Sequence, residues 1–177
     1  MENVGNGVLV DDEHPRYFFY YKPLESSKEN NGKSRRRKLD RAYKCVLKAR
    51  YLGGVAGRRL VVDDLLCRGG GGGDGKTLMC TAITFLQEKL HLNDDAEVSL
   101  LALADIHSER EEQGKNKGLS DAERQKKLVA YYTRTYGFEE INSGAGSHMV
   151  TTIGTIKAKC AAEGGGKRRG TRRKKRV

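Results

Sequence analysis

Residues 59–79 read RLVVDDLLCRGGGGGDGKTLM, and this stretch decides the fold. Its first part is rich in Val and Leu, which predicts a buried strand. The five glycines at 69–73 suit neither a strand nor a helix, because ordering glycine loses the most backbone entropy. Apolar residues then recur at helical spacing, at Met79, Ala82, Ile83, Leu86 and Leu90. A strand followed by a glycine loop and the start of a helix brings several free backbone N–H groups close together. Such a group of N–H donors predicts a phosphate-binding site.

The residues before this stretch predict an antiparallel meander. The aromatic run at 17–21 has high strand propensity. Residues 42–51 predict a second strand, with a helix as the alternative, and the glycines at 53, 54 and 57 predict a turn into the third strand. Residues 1–15 are predicted to form a loose N-terminal segment that contains at most a short strand.

The residues after the stretch predict a parallel crossover followed by a second helix. The first helix is expected to end near Leu90 or Leu92, and residues 96–104 form an apolar strand, so that strand, helix and strand follow one another. Ser120 and Glu123 have capping-box spacing, and Gly137 is a helix stop. Residues 138–141 and 148–158 are predicted to be a final pair of strands.

Length and charge predict one small domain with basic appendages. The 177 residues carry a formal net charge of +11, and the mean hydropathy is −0.69. Eight Lys or Arg lie in 167–177, and six more lie in 33–41 beside a single acid, so the remaining residues are close to neutral. We expect a domain over 16–162, with polar loops near 24–40 and 105–119, and a disordered basic tail at 163–177.

The cysteine and histidine spacings favour neither a disulfide framework nor a metal site. The four cysteines are widely separated without a CxxC pair, and the four histidines form no ligand pattern. Buried free thiols in a reducing compartment are therefore expected, and no metal. The chain shows no signal-peptide pattern and no apolar run that could span a bilayer. A soluble intracellular protein of the cytoplasm or nucleus is the expectation, without membrane contact.

The glycine loop fits two kinds of phosphate site. Residues 70–77 match the P-loop pattern G-x-x-x-x-G-K-[ST], which predicts a nucleotide-binding kinase or NTPase with Lys76 on the phosphates. A run of five glycines meets this pattern easily by chance. The two acids Asp63 and Asp64 are awkward in a central strand that is buried on both faces. Too few strands follow the loop for a P-loop sheet, so the order of elements disfavours this alternative.

The same order of elements resembles the GNAT superfamily of N-acetyltransferases over roughly Arg16 to Cys160. Arg68 and the run GDGK at 73–76 are similar to the family's R/Q-x-x-G-x-G/A loop. The helix at 78–86 and the strand at 98–103 are similar to the helix and the splayed strand that follow that loop. The run LVAYYTRTYGFE at 128–139 is similar to the family's A-x-x-x-Y-x-x-x-G-F-E segment. This last similarity is the most discriminating, because P-loop proteins have no reason to carry it.

The resemblance implies an α/β fold with a mixed, mostly antiparallel sheet, and acetyl-CoA as co-substrate. It implies that Tyr132 is the general acid, with Tyr131 and Tyr136 as alternatives. Asp64, or Asp63 on the opposite side of a regular strand, would take the amine proton through water. The residues expected at the coenzyme are Leu65, Leu66, Cys67, Arg68, Gly71, Gly72, Gly73, Asp74, Gly75, Lys76 and Thr77. A backbone N–H at one of the first three would polarise the thioester carbonyl.

The function expected is therefore transfer of an acetyl group from acetyl-CoA to a primary amine of an unidentified acceptor. The alternatives are the P-loop nucleotide-binding protein and a catalytically degenerate GNAT fold that serves as a nucleic-acid or ribosome accessory. The basic tail at 167–177 has no aromatic residues, which favours non-specific contact with phosphate backbones or a nuclear-import signal.

Overall fold

A computed structural model of the chain describes residues 1–21, 43–53, 57–67, 73–104, 118–143 and 146–162. Its strands are β1 (Glu2–Gly5), β2 (Val8–Glu13), β3 (Arg16–Tyr21), β4 (Cys45–Leu52), β5 (Arg59–Cys67), β6 (Glu97–Ala102), β7 (Glu139–Ser143) and β8 (Ser147–Thr152). The helices of the described residues are α1 (Asp74–Lys89), α2 (Asp121–Tyr136) and α3 (Ile153–Ala162).

The eight strands form one sheet in the order β1-β2-β3-β4-β5-β6-β8-β7. Neighbours are antiparallel except for β5 and β6, which are parallel and are joined by the crossover helix α1. This confirms the predicted α/β class, with a mostly antiparallel sheet and one parallel strand–helix–strand unit, and it is compatible with a GNAT-like fold. The single parallel pair among the described strands argues against a P-loop sheet.

One apolar core joins the sheet to the helices. The buried face of α1 consists of Leu78, Met79, Ala82, Ile83 and Leu86, at the spacing that the sequence predicted. These side chains share the core with alternate residues of the strands, among them Phe19, Leu47 and Leu60, each of which is fully buried. Because only one face of these strands enters the core, β5 is held in place by packing on one side and by its neighbours in the plane.

Helix α2 begins and ends where the sequence predicted. The Ser120 hydroxyl accepts a hydrogen bond from the Glu123 backbone N–H at 3.3 Å, and the Glu123 carboxylate accepts one from the Ser120 N–H at 2.8 Å. These bonds complete the capping box. The Ser120 N–H and hydroxyl both donate to the Glu123 carboxylate and lower its pKa, because they stabilise the ionised form. Gly137 ends the helix in the left-handed conformation, with φ 76°. Tyr131, Tyr132 and Tyr136 therefore share the last turns of one well-defined helix.

Two expectations about secondary structure are wrong. Residues 1–15 are not a loose segment, because β1 and β2 lie there and β2 pairs with β3 along its whole length. Residues 148–158 are not one strand, because β8 ends at Thr152 and α3 follows. The Thr152 hydroxyl accepts a hydrogen bond from the Thr155 N–H at 3.2 Å, as a helix cap does. Burial of Ile153 and Ile156 on one helical face overrides their strand propensity.

The expectation of free thiols is also wrong. Cys45 and Cys67 form a disulfide between β4 and β5, and Cys80 and Cys160 form another between α1 and α3. The antiparallel register sets the first pair opposite each other with their Cα atoms 4.1 Å apart. Helix packing sets the Cα atoms of the second pair 6.0 Å apart. Free thiols were the basis for expecting a reducing compartment, so that expectation loses its support.

Candidate active site

A cleft opens where β5 and β6 separate. The two strands pair only from Arg59–Glu97 to Val62–Leu100, although β5 continues to Cys67 and stays paired with β4 as far as that residue. The cleft has a volume of about 580 Å³ and is lined by both strands, by the two residues after β6 and by α2. One edge of β5 therefore presents backbone groups to the cleft instead of to a neighbouring strand.

The two acids of β5 lie at a bulge that borders the cleft. Lys48 pairs with Asp64 and Ala49 pairs with Val62, so Asp63 is the extra residue of β5. Because the bulge breaks the alternation of a regular strand, Asp63 and Asp64 both line the cleft. The expectation that the two face opposite sides assumed a regular strand, and the bulge removes that assumption.

The partners of the two acids differ. Arg50 donates from Nε and from one terminal nitrogen to the two oxygens of Asp63, each at 2.6 Å. This bidentate contact raises the pKa of the Arg50 guanidinium. The nearest cation to Asp64 in an ion pair is the Lys48 ammonium, at the longer distance of 3.8 Å. Asp63 thus accepts two hydrogen bonds from one guanidinium, whereas among the described residues Asp64 forms a longer ion pair with Lys48.

Tyr132 brings a phenol to the same cleft from α2. It is 8% exposed and lines the cleft together with Asp64. Burial raises the pKa of Tyr132 to about 12, and the nearby Tyr131 and the negative charge of Asp64 add to the shift. Within the described part of the chain, no group hydrogen-bonds to the Tyr132 hydroxyl. Its proton is therefore held at neutral pH and is available to a group that enters the cleft.

Tyr131 also lines the cleft, but its hydroxyl and its ring have different neighbours from those of Tyr132. Its hydroxyl is 3.2 Å from that of Tyr136, which is fully buried. Its ring meets the rings of Tyr132 and Tyr136 edge-on, with centroids 5.5 and 5.8 Å apart. The Tyr131 hydroxyl also lies 3.8 Å from the position that a Cβ on Gly75 would take. Tyr131 therefore sits near the first turn of α1, Tyr132 near Asp64, and Tyr136 within the core.

The first turn of α1 follows the glycine run and has no side-chain cap. Gly73 is the N-cap residue, in the left-handed conformation with φ 79°. The first backbone bond of the helix runs from the Thr77 N–H to the Gly73 carbonyl at 2.8 Å. The N–H groups of the three residues between them therefore lie before the intrahelical ladder, as expected for an anion site. The Asp74 carboxylate forms an ion pair with Lys44.

Lys76 does not have the position of a P-loop lysine. Its ammonium donates a hydrogen bond to the Lys159 carbonyl oxygen at 2.9 Å, near the end of α3. Such a contact favours a cation at a helix C-terminus. Together with the sheet topology, this contact argues against a triphosphate site that uses Lys76.

The remaining expected coenzyme residues divide into two groups. Leu65 and Leu66 line the cleft on the unpaired half of β5, and Cys67 follows them in its disulfide with Cys45. Arg68, Gly71 and Gly72 lie outside the described residues.

Sequence reasoning missed three cations and one wall of the cleft. Lys48 and Arg50 lie on β4, and Lys44 directly precedes that strand. The antiparallel pairing of β4 with β5 could have indicated that Lys48 and Arg50 face Asp64 and Asp63, whereas Lys44 pairs with Asp74. Helix α2 also contributes Arg124, Lys127 and Leu128 to the cleft. The available signal was helical spacing: Lys127 lies four residues before Tyr131, Leu128 lies four before Tyr132, and Arg124 lies one further turn before these two.

Neither membrane passage nor a metal site is indicated by the described residues. None of their helices combines the length and the apolar composition that crossing a bilayer requires. Within the same residues no group of three or more His, Cys, Asp or Glu side chains is arranged to hold a metal ion.

Comparison with known proteins shows a similarity of fold only. No protein-family model matches the chain, and no curated protein matches it. The solved KacTA–DNA complex contains a chain with 10% identity and a TM-score of 0.50, with 85% of this chain and 76% of that chain covered. The AtaT–AtaR complex bound to DNA gives 10% identity and a TM-score of 0.49, with 81% of this chain and 72% of that chain covered. At this identity the first likeness concerns the fold and not the activity.

Proposed function

We propose that the protein is an N-acetyltransferase that transfers an acetyl group from acetyl-CoA to a primary amine. The observation that carries this proposal is the separation of β5 from β6 beyond Val62 and Leu100, which leaves a cleft with a free strand edge. A volume of about 580 Å³ is within the range of pockets that hold small molecules and cofactors. The uncapped first turn of α1 adds backbone donors that suit the coenzyme's pyrophosphate.

The residues that would hold acetyl-CoA are the unpaired edge of β5 at Leu65 and Leu66 and the first turn of α1 from Gly73 to Thr77. Bound there, acetyl-CoA would supply the acetyl group as an activated thioester. Backbone N–H groups on the free edge of β5 can donate to the acyl oxygen, as a preorganised electrostatic site does.

Asp64 and Tyr132 have complementary roles in this proposal. An amine attacks only when it is neutral, so a carboxylate near the cleft is needed to accept its proton. Asp64 suits this role, through a water molecule, because it is less tightly engaged than Asp63. Tyr132 suits the role of proton donor, because burial keeps its phenol protonated far above neutral pH.

Binding of acetyl-CoA and of Mg²⁺–ATP, measured separately by isothermal titration calorimetry, tests the proposal against the nucleotide alternative. We expect acetyl-CoA to bind and ATP to give no comparable heat. ATP binding without a response to acetyl-CoA would overturn the proposal. Mass spectrometry of a lysate treated with the protein and isotope-labelled acetyl-CoA would then identify the acceptor amine. Binding without labelling would favour the catalytically degenerate alternative.

We also propose that the basic segment at 167–177 contacts the phosphate backbone of a nucleic acid. The eight Lys or Arg in this segment support the proposal, and a chain of the same fold occurs in the KacTA–DNA complex. Such contacts are strongly weakened by salt. Deletion of 167–177 should remove salt-sensitive nucleic-acid binding and leave acetyl-CoA affinity unchanged. Loss of both would mean that the segment supports the fold.

A further inference from the structure

The disulfide between Cys45 and Cys67 lies at the coenzyme end of the cleft. Cys67 directly follows Leu66, the last residue of β5 that lines the cleft, and it ends the strand just before the glycine loop. Its sulfur lies 3.0 Å from the position that a Cβ on Gly75 would take, in the first turn of α1. That spacing is tight for a methyl group, so glycine at 75 lets the disulfide approach the helix.

The two sulfurs of this disulfide differ in their access to solvent. Cys67 is exposed, whereas Cys45 is 1% exposed and belongs to the core. Of the two cysteines, Cys67 is therefore the one that a thiolate from solution is expected to attack. Exchange depends on which sulfur is attacked and on access to it. The second disulfide joins two half-buried cysteines, Cys80 and Cys160, and neither lines the cleft.

The disulfide also closes a junction of three elements. Lys44, next to Cys45 at the start of β4, forms an ion pair with Asp74 in the first turn of α1. The start of β4 is thus joined to α1 by charge and to the end of β5 by a covalent bond. When the bond opens, the end of β5 loses its covalent link to the start of β4 and keeps its strand pairing there.

We propose that Cys45–Cys67 is a thiol–disulfide exchange site that regulates coenzyme binding, an inference that rests on the proposed function. A dithiol reductant attacks the Cys67 sulfur, the bond between the two cysteines breaks, and Cys45 leaves as a thiolate that takes up a proton. The second thiol of the reductant then attacks the mixed disulfide and releases Cys67 as a thiol. The reductant is oxidised to its own disulfide, and two electrons and two protons pass to the protein.

Reduction weakens the binding of acetyl-CoA in this scheme. The oxidised form holds the end of β5 and the first turn of α1 in place before the coenzyme arrives. Freeing the end of β5 adds conformational entropy that binding must then remove, and a preorganised site avoids this loss. We expect the reduced protein to bind acetyl-CoA about three- to tenfold more weakly. Acetyl-CoA is a suitable probe because it carries no free thiol that could itself exchange.

The test compares the full chain before and after treatment with dithiothreitol. Acetyl-CoA affinity is measured by calorimetry for the wild type, for C45S/C67S and for C80S/C160S as the matched control. We expect the wild type and C80S/C160S to weaken on reduction, and C45S/C67S to bind weakly from the start without responding. Equal affinities of the oxidised and reduced wild type, or a response that persists in C45S/C67S, would overturn the proposal.

A second measurement tests whether Cys45–Cys67 exchanges with thiols, and it needs neither a ligand nor a substitution. The oxidised wild type is reduced for increasing times, alkylated with iodoacetamide and mapped by mass spectrometry. Alkylation of Cys45 and Cys67 well before Cys80 and Cys160 supports the proposal, and the reverse order or equal rates contradict it. If neither redox form binds acetyl-CoA, the proposed function fails instead, while the order of alkylation still decides whether the exchange site exists.

Discussion

The two halves of β5 differ in what lies beside them. From Arg59 to Val62 the strand pairs with β4 on one side and with β6 on the other, and Leu60 and Val62 are buried. After the bulge at Asp63, residues 64–67 pair with β4 alone among the described strands, and the other edge of β5 faces the cleft. Leu66 in this second half is 59% exposed. A single strand thus supplies core in one half and a candidate site in the other.

The difference follows from backbone hydrogen bonding. A strand with both edges paired has no backbone groups to offer, and its side chains contribute by packing. A strand with one free edge needs partners for its N–H and C=O groups, and a ligand can provide them. The acids, the bulge and the exchangeable disulfide all occur in the half with the free edge. Each of the following predictions tests this contrast.

The largest effect is expected on stability in the paired half. Leu60→Ala should lower the free energy of unfolding by about 3 kcal/mol, because it leaves a cavity in a close-packed core. Leu66→Ala, the same change in the free half, should alter it by less than about 0.5 kcal/mol. Urea denaturation followed by circular dichroism measures both. Similar losses from the two variants would mean that the halves of β5 do not differ in packing.

The next largest effect is expected on turnover, through the Tyr132 phenol that lines the cleft beside the second half of β5. Tyr132→Phe should slow turnover about 100-fold and leave acetyl-CoA affinity almost unchanged, because it removes a proton donor and keeps the ring. Tyr131→Phe should leave turnover at saturating acetyl-CoA within about threefold, because the Tyr131 hydroxyl is turned toward Tyr136. Steady-state kinetics distinguish the two variants. An unaltered rate in Tyr132→Phe would move the donor role to another tyrosine or to solvent.

A smaller effect should separate the adjacent acids at the bulge. Asp64→Asn should slow turnover about tenfold at neutral pH, since a base that acts through water is only partly replaced by solvent. Asp63→Asn should slow it less than about twofold, because Asp63 is engaged by Arg50 and not by the amine. Rates against pH for both variants provide the measurement. A larger loss in Asp63→Asn would reverse the assignment of the two carboxylates.

The smallest effect is a pH dependence of stability at high pH. The pKa of Tyr132 is raised in the folded chain to about 12, so its contribution to stability is complete below pH 10, the ordinary pKa, and is lost as the pH rises toward 12. At pH 11 the wild type should have lost about 1.4 kcal/mol more than Tyr132→Phe, relative to pH 9. Unfolding curves across this range measure the loss. Parallel pH dependences of the two proteins would show that the phenol is not desolvated.

The structure confirmed the predictions of those elements that have strong local signals in the sequence. Helix α1 has its apolar residues at helical spacing, and α2 has a capping box at Ser120 and a stop at Gly137. These features depend on residues within four or five positions of one another, so the sequence alone reveals them. Residues 153–158 were predicted to continue the last strand, and packing against α1 and α2 makes them part of a helix instead.

The candidate site could be predicted in type but not in arrangement. The glycine run, the acids of β5 and the tyrosines of α2 were all visible in the sequence. The sequence could not reveal that a bulge brings both Asp63 and Asp64 to the cleft, because a bulge depends on the register of two strands. Nor could it separate Tyr131 from Tyr132, since their different burial arises from packing against β5 and α1.

By itself the sequence determined the order of the elements from β3 to β8, the crossover around the glycine loop and the residue types of the cleft. These properties follow from periodicity and turn chemistry over short stretches of chain. The tertiary structure alone decided which cysteines pair, across sequence separations of 22 and 80 residues, and which half of β5 keeps a free edge. Both depend on where distant segments meet, and loop closure between such segments leaves no local trace in the sequence.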